Sequence, residues 1–412
     1  MNMSINRNYL VPIGIYLVAF SIVLYYNLSR SLVNDGIWEY LIYSCNLEHG
    51  WLNRPLLVNY CIIPTLLPVY VHSVTGVNSY LLFRIWPALF YPLMPVFTYL
   101  IARRYFSLKW SLVAVTVLLL NSYFIYFPDV GRVGISLGFM AGMIWAFLGK
   151  RIWYLLLFTV LTAFSHYGAS VLALALIGGA TLLTLLIKKQ LIRSGVVVTL
   201  VLLLIIGVWF MFIPTNLGGT QVVEVVVTYS EAGKFNKGTS PAVEGVVPSD
   251  TKDWVELESR EATVQTALGL NFGDLTVPNK VELLSNWAIV GLLTLGLLLM
   301  LKNRLLDFNV RSLAFVAYGL VVASVVVPWV SVNYGVTRVL FSSSIVLALG
   351  IPISLQWLGS RLKNLTPALT ALVLVSYGLS TSGIIYRIFG EYKYFHVAAH
   401  PQWMSEWLKL LK

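Results

Sequence analysis

The sequence predicts an all-α protein, a polytopic bundle of about eleven membrane-crossing helices, and three observations carry that prediction. Charge is scarce: 11% of the 412 residues are charged and 58% are hydrophobic, whereas a soluble domain carries about 25% charged residues. The apolar residues fall in long uninterrupted runs. A helix rising about 1.5 Å per residue needs roughly 20 of them to cross a hydrocarbon core of about 30 Å. The basic residues collect in short segments between alternate runs. A β-barrel would show short alternating segments instead, and only helices satisfy their own backbone in lipid at this apolarity.

Taken in order, the expected spans are 9–27, 80–102, 110–128, 132–149, 152–165, 167–187, 194–213, 284–301, 312–329, 338–358 and 365–386. The first is long and lacks a small-residue cleavage site, so it reads as a retained anchor rather than a cleaved signal peptide. With the N-terminus in the cytoplasm, the inner segments hold Arg7; Arg103, Arg104 and Lys109; Lys150 and Arg151; Lys188, Lys189 and Arg193; Lys302, Arg304 and Arg311; and Arg361 and Lys363. These are half of the 28 basic residues, while Asp307 alone of the 17 acidic residues falls inside. Lys and Arg bias in short loops sets orientation, so the chain is expected to be a multi-pass protein of the cell (plasma) membrane with its C-terminus external.

Residues 55–72 (PLLVNYCIIPTLLPVYVH) are apolar enough to cross, but counting them as a span would invert every later loop. Pro55, Pro64 and Pro68 interrupt helical hydrogen bonding, and the segment reads as an interfacial helix within a first external loop, 28–79. Cys45 and Cys61 fall in that loop, either bridged or as two free thiols. The organisation is then a transmembrane core over 1–213, an external loop or lid over 214–283, C-terminal spans over 284–386, and an external amphipathic tail over 387–412. No repeat of 20–50 residues is visible, nor a pair of broken helices.

The net charge of +11 would suggest nucleic acid in a soluble protein; here it is loop charge that orients the chain, and no nucleic-acid partner is expected. The sequence contains no Walker loop, GxGxxG or CxxC, so nucleotide chemistry has no visible home. Chemistry is expected instead from ionisable residues at the outer span ends, where desolvation makes charge costly.

Asp35 follows the first span, with Glu39 one turn later. A carboxylate at the bilayer edge can act as a general base, or Asp35 can cap the helix that starts there; Glu39 reads as a solvated face or a ligand contact. Asp129 and Arg132 share the turn FPDVGRVG, as a cap and a snorkelling cation or as a site for a metal or an anionic group. His166 and Tyr167 meet in FSHYG, as a structural pair or with His166 donating to a phosphate near neutral pH. Arg338 in VNYGVTRVLF suits an anionic group such as a lipid phosphate, or snorkels, and Arg84 in LLFRIWP is a weaker instance of the same signal. His396 and His400 have i, i+4 spacing without a third metal ligand. Metal dependence and cofactors stay open, with a divalent cation as the candidate.

The order of these features resembles the GT-C glycosyltransferases, membrane enzymes that use polyprenyl-phosphate-linked sugars. The first span leads to a long external loop with the early acids Asp35 and Glu39, then NRPLLVNYCIIPTLLPVYVHSVTG. FRIWPALF and YLIARRYF follow, then the Asp129–Arg132 turn, FSHYG and NYGVTR. The resemblance is clearest over 1–190 and around 330–350. It implies Asp35 as the catalytic carboxylate and Asp129, His166 and Arg338 as contacts to a polyprenyl-phosphate sugar donor or to a glycan, lipid or protein acceptor. It implies transfer at the non-cytoplasmic face with inversion at the anomeric carbon. The chain departs from the pattern in that Gly36, not a second acid, follows Asp35. Acceptor recognition would fall to 214–283 or the tail. A polysaccharide polymerase, a transporter or flippase of a lipid-linked sugar, and a structural scaffold are the alternatives.

Overall fold

A computed structural model describes residues 7–29, 35–49, 61–121, 124, 131–212, 272–302, 306–326, 336–362 and 366–381. Among them every regular element is helical. In order these are α1 (Arg7–Ser29), α2 (Asp35–His49), α3 (Ile62–Thr75), α4 (Ser79–Phe90), α5 (Leu93–Ala102) and α6 (Leu108–Leu119). Then come α7 (Gly131–Leu148), α8 (Ile152–Ser165), α9 (Tyr167–Lys188) and α10 (Arg193–Leu204), the last continuing as a π-helix over Ile205–Phe212. A 3₁₀ turn (Phe272–Asp274) precedes α11 (Val277–Lys302), α12 (Phe308–Val326), α13 (Val336–Leu347), α14 (Gly350–Leu362) and α15 (Thr366–Thr381).

Six of these stretches are long and apolar enough to cross a membrane, including Ser79–Ala102 taken as one; a seventh is a bent pair. The eleven expected spans are therefore uneven. In the stretch expected at 110–128, α6 covers Leu108–Leu119 and Phe124 is helical, while 122–123 and 125–128 lie outside the described residues; α8 has 14 residues. The helix expected at 284 starts seven residues earlier, at Val277. The segment read as an interfacial helix contains α3, 14 residues long and too short to cross upright. Residues 213–271 and 382–412, which hold most of the expected lid and all of the tail, lie outside the described residues.

The span expected at 338–358 is broken: α13 and α14 meet at 57°. Pro352 supplies the reason, because it has no N–H to return to Ala348. The chain closes tighter turns just before it, with Leu349 N–H on the Val346 carbonyl (3.2 Å) and Ile351 N–H on the Ala348 carbonyl (3.3 Å). Proline also divides α4 from α5, at Tyr91–Pro92, without removing the overall run.

Packing is built around α7, which is buried along nearly its whole length. It lies against α5 and α8, while α9 packs on α12 and α10, and α11 on α14 and α15. The contact with the α4–α5 junction is close enough that a Cβ at Gly138 would strike the Phe90 carbonyl, the kind of backbone approach small residues allow between membrane helices. Tyr91 stacks on Phe124 with ring centroids 4.7 Å apart and meets Phe341 edge-on at 6.4 Å.

Two chemically distinct ends follow. Arg132 stands at the start of α7, and Trp145 lies near its far end, about 20 Å away along the axis. Near Trp145 are Arg104, whose Nη2 donates to the Trp145 carbonyl (3.0 Å), and Arg151, over its ring at 4.5 Å. Tyr105 donates to Asp307 at 3.1 Å. Loops assigned to one side by their basic residues thus meet one another. Of the residues singled out for chemistry, Glu39 and Arg132 meet at the opposite end of α7.

Candidate functional site

The site starts on α2. Asp35 is its first residue, and Glu39 follows one turn later at i, i+4 on the same helical face. The Asp35 side chain lies outside the described residues. Glu39 is 5% exposed, which corrects the expectation of a solvated face. Tyr43 and Asn46 continue the same buried stripe along the helix.

Glu39 turns toward the first turn of α7. Its Oε1 lies 3.0 Å from Arg132 Nε, and its Oε2 accepts from the Arg132 backbone N–H at 3.2 Å. One carboxylate therefore neutralises the guanidinium and closes an open donor at a helix N-terminus, where the dipole favours negative charge. The approach is tight at Gly131. A Cβ there would stand 3.2 Å from Glu39 Oε2 and 3.0 Å from Pro87 Cγ. Asp129, the expected cap or ligand partner of Arg132, lies outside the described residues.

His166 sits between α8 and α9 in extended conformation and caps α9, its Nδ1 accepting from the Ala169 N–H at 3.0 Å. With Nδ1 engaged as acceptor, the neutral ring carries its proton on Nε2 and presents a donor there. Burial holds the ring well below the ordinary imidazole pKa, and the positive charges of Arg132 and Arg338 push it further down. The ring stacks on Tyr167, centroids 4.9 Å apart. Arg338, partly buried in the first turn of α13, is thereby within electrostatic reach of His166, 172 residues earlier in the chain.

Cys61 is the member that sequence reading missed. It is a free thiol, fully buried beside Tyr167 and Trp209. The two cysteines are accordingly not bridged; the Cys45 side chain lies outside the described residues. Burial pushes the Cys61 thiol up to about 11, against the opposing pull of Arg132 and of a hydrogen bond from the Tyr167 backbone, so it stays protonated. Glu39 raises it further. Its neighbours alone could have marked it, and of these Arg132, Tyr167 and Trp209 come from helices more than 70 residues away.

Arg84 is 4% exposed on α4, with its guanidinium 5.8 Å from the Tyr80 ring centroid. Asn27 of α1 donates to its carbonyl at 2.9 Å, and Trp86 donates to the Ile63 carbonyl at 3.0 Å, so α4 is tied to both α1 and α3. No group of three or more His, Cys, Asp or Glu side chains able to hold a metal occurs among the described residues. His396 and His400 lie outside them.

The arrangement thus joins Glu39, Cys61, Arg132, His166, Tyr167 and Arg338 at one end of the bundle. Chemically it holds two guanidiniums, that of Arg132 paired with the Glu39 carboxylate, and a neutral imidazole with its proton on Nε2. Guanidinium and imidazole N–H groups are the side-chain donors that pair with anionic groups. No protein-family model matches the chain, and no curated protein matches it.

Proposed function

We propose that this chain is a membrane glycosyltransferase that moves a sugar from a polyprenyl-phosphate donor to an acceptor on the non-cytoplasmic face. The observation that carries the reading is the buried His166 ring in the electrostatic field of Arg132 and Arg338, cations on two other helices, a setting that suits a phosphate at a bilayer edge. The order of sequence features that resembles GT-C enzymes supplies the reaction class. In this reading the donor's prenyl chain lies in lipid, and its phosphate takes charge-assisted hydrogen bonds from Arg338 and from His166 Nε2–H.

The chemistry balances without nucleotide. An acceptor hydroxyl gives its proton to Asp35 as its oxygen forms the new bond to the anomeric carbon. The bond from that carbon to the phosphate oxygen breaks, and polyprenyl phosphate leaves with the electron pair, with inversion. Charge grows on the phosphate as it departs, which is where fixed cations lower the barrier most. Glu39 serves by orienting Arg132. Asp35→Asn should cost 10²–10⁴-fold in rate if Asp35 is the base, and Arg338→Gln should weaken donor binding and turnover together.

One observation favours a second reading, transport of the lipid-linked sugar. The 57° break between α13 and α14 is the kind of discontinuous helix that transporters use around a substrate site. Ser342, Ser343 and Ser344 are buried just before it. Against this, residues 339–360 contain no ionisable side chain, whereas transport pathways characteristically place charged groups at depth. The charged cluster lies at the helix ends instead, which suits surface chemistry.

A further inference from the structure

The other end of the bundle carries a feature the transferase reading does not use. An apolar groove of about 330 Å³ runs between α9 and α12, lined by Gly179, Leu182, Leu183 and Leu186 on one side and by Phe315, Val316, Gly319 and Leu320 on the other. Leu182, Leu186 and Phe315 are 56%, 68% and 49% exposed, so the groove opens outward rather than into the core. On the inner side of the same helix pair, Thr184 donates to Ser312 at 3.4 Å and fixes the two helices together.

The groove ends at two cations that share one aromatic ring. Lys188 Nζ lies 5.1 Å from the Phe308 centroid, and the Arg311 guanidinium lies 5.4 Å from it. Phe308, Arg311, Phe315 and Gly319 follow one another at i, i+3, i+7 and i+11, a single face of α12. From Arg311 to Gly319 that face extends about 12 Å along the axis, and from Lys188 to Gly179 about 14 Å. Half of a hydrocarbon core of about 30 Å is about 15 Å. The groove is therefore one leaflet deep and has its positive charge where that leaflet's headgroups lie.

We infer that this groove is a site for a phospholipid with an anionic headgroup, one acyl chain lying along Gly179 and Gly319 and the phosphate on Lys188 and Arg311. Basic pockets between membrane helices recognise lipid headgroups in this way. The site is at the basic end of the bundle, remote from Arg132 and Arg338, and does not depend on the chain being a transferase.

The test uses detergent-purified full-length protein offered equal amounts of phosphatidylglycerol and phosphatidylcholine, with bound lipid counted by native mass spectrometry. Phosphatidylglycerol should be retained about tenfold more strongly, two nearby cations being opposed to one net negative charge. Lys188→Gln with Arg311→Gln should remove that preference, bringing phosphatidylglycerol retention down to that of phosphatidylcholine. Gly319→Leu is the second variant, because a Cβ at Gly319 meets no atom within 4 Å, so the new side chain fills the groove without striking the fold. It should lower retention of both lipids. Equal retention of the two lipids by the parent protein would overturn the inference. So would an anionic preference that survives both the double charge variant and Gly319→Leu.

Discussion

Glu39 grips Arg132 twice across a sequence separation of 93 residues: its Oε1 stands 3.0 Å from Nε, and its Oε2 accepts from the Arg132 backbone at 3.2 Å. The two contacts lock the start of α7 to α2, and so set where the Arg132 charge stands relative to His166.

Breaking that pair should therefore cost more than a surface salt bridge. Removing one partner of a buried pair costs up to about 3–5 kcal/mol, and Glu39→Gln should lower thermal stability in detergent accordingly. Adding Arg132→Gln should recover part of the loss, with a coupling of about 0.5–3 kcal/mol in the double-mutant cycle. Strictly additive losses would show that the two residues act independently.

His166 gives a pH dependence of defined sign. Its pKa is below 6.5 in the folded protein, so below about pH 6.5 the unfolded chain binds a proton that the folded chain refuses. Stability from this group is present above pH 6.5, falls as pH drops below it, and levels off beneath the folded pKa. His166→Asn keeps a side-chain acceptor for the α9 cap but does not titrate. The variant should lose part of the parent's decline in melting temperature between pH 7 and pH 5. An unchanged decline would mean that other groups produce it.

Close helix contacts should be position-specific. A Cβ at Gly296 would strike the backbone of Gly350 where α11 crosses α14, whereas one at Gly291 on the same helix meets nothing within 4 Å. Gly296→Ala should destabilise by at least the 1–3 kcal/mol typical of overpacking, and Gly291→Ala should leave the melting temperature within about a degree. Similar melting temperatures for the two variants would count against the crossing.

Much of this architecture was legible in the sequence, for a physical reason. Apolar run length and basic loops are local signals, and they are what set Arg132, His166 and Arg338 at span ends. The partners were not legible, because Glu39, Cys61 and Arg132 come together only through tertiary packing. Glu39 looked solvated because an acid on a 15-residue helix carries no mark of what lies against it. The break between α13 and α14 had a visible cause in Pro352, which apolarity alone concealed. The clue to the Glu39 contact was Gly131, whose missing side chain leaves room for the carboxylate.

The orientation read from the loops is tested by labelling. In a background with Cys45 and Cys61 replaced, a single cysteine at Lys189 or Lys302 should resist a membrane-impermeant maleimide in intact cells, and one at Lys252 should react. Reaction at Lys189 from outside would reverse the assignment of faces and move the candidate site to the cytoplasm.

The most direct measurement asks whether the purified protein transfers sugar when no second compartment exists. In detergent, with a radiolabelled polyprenyl-phosphate sugar that binds the protein and a panel of hydroxyl acceptors, we expect labelled product without nucleotide or ion gradient. Arg338→Gln should reduce turnover by about ten- to a hundredfold, in line with loss of one charge-assisted hydrogen bond of about 1.5–3 kcal/mol. The contrary result is a donor that binds, yields no product with any acceptor, and crosses the bilayer when the protein is sealed in vesicles. That outcome would make the charged cluster the mouth of a transport path and end the glycosyltransferase account.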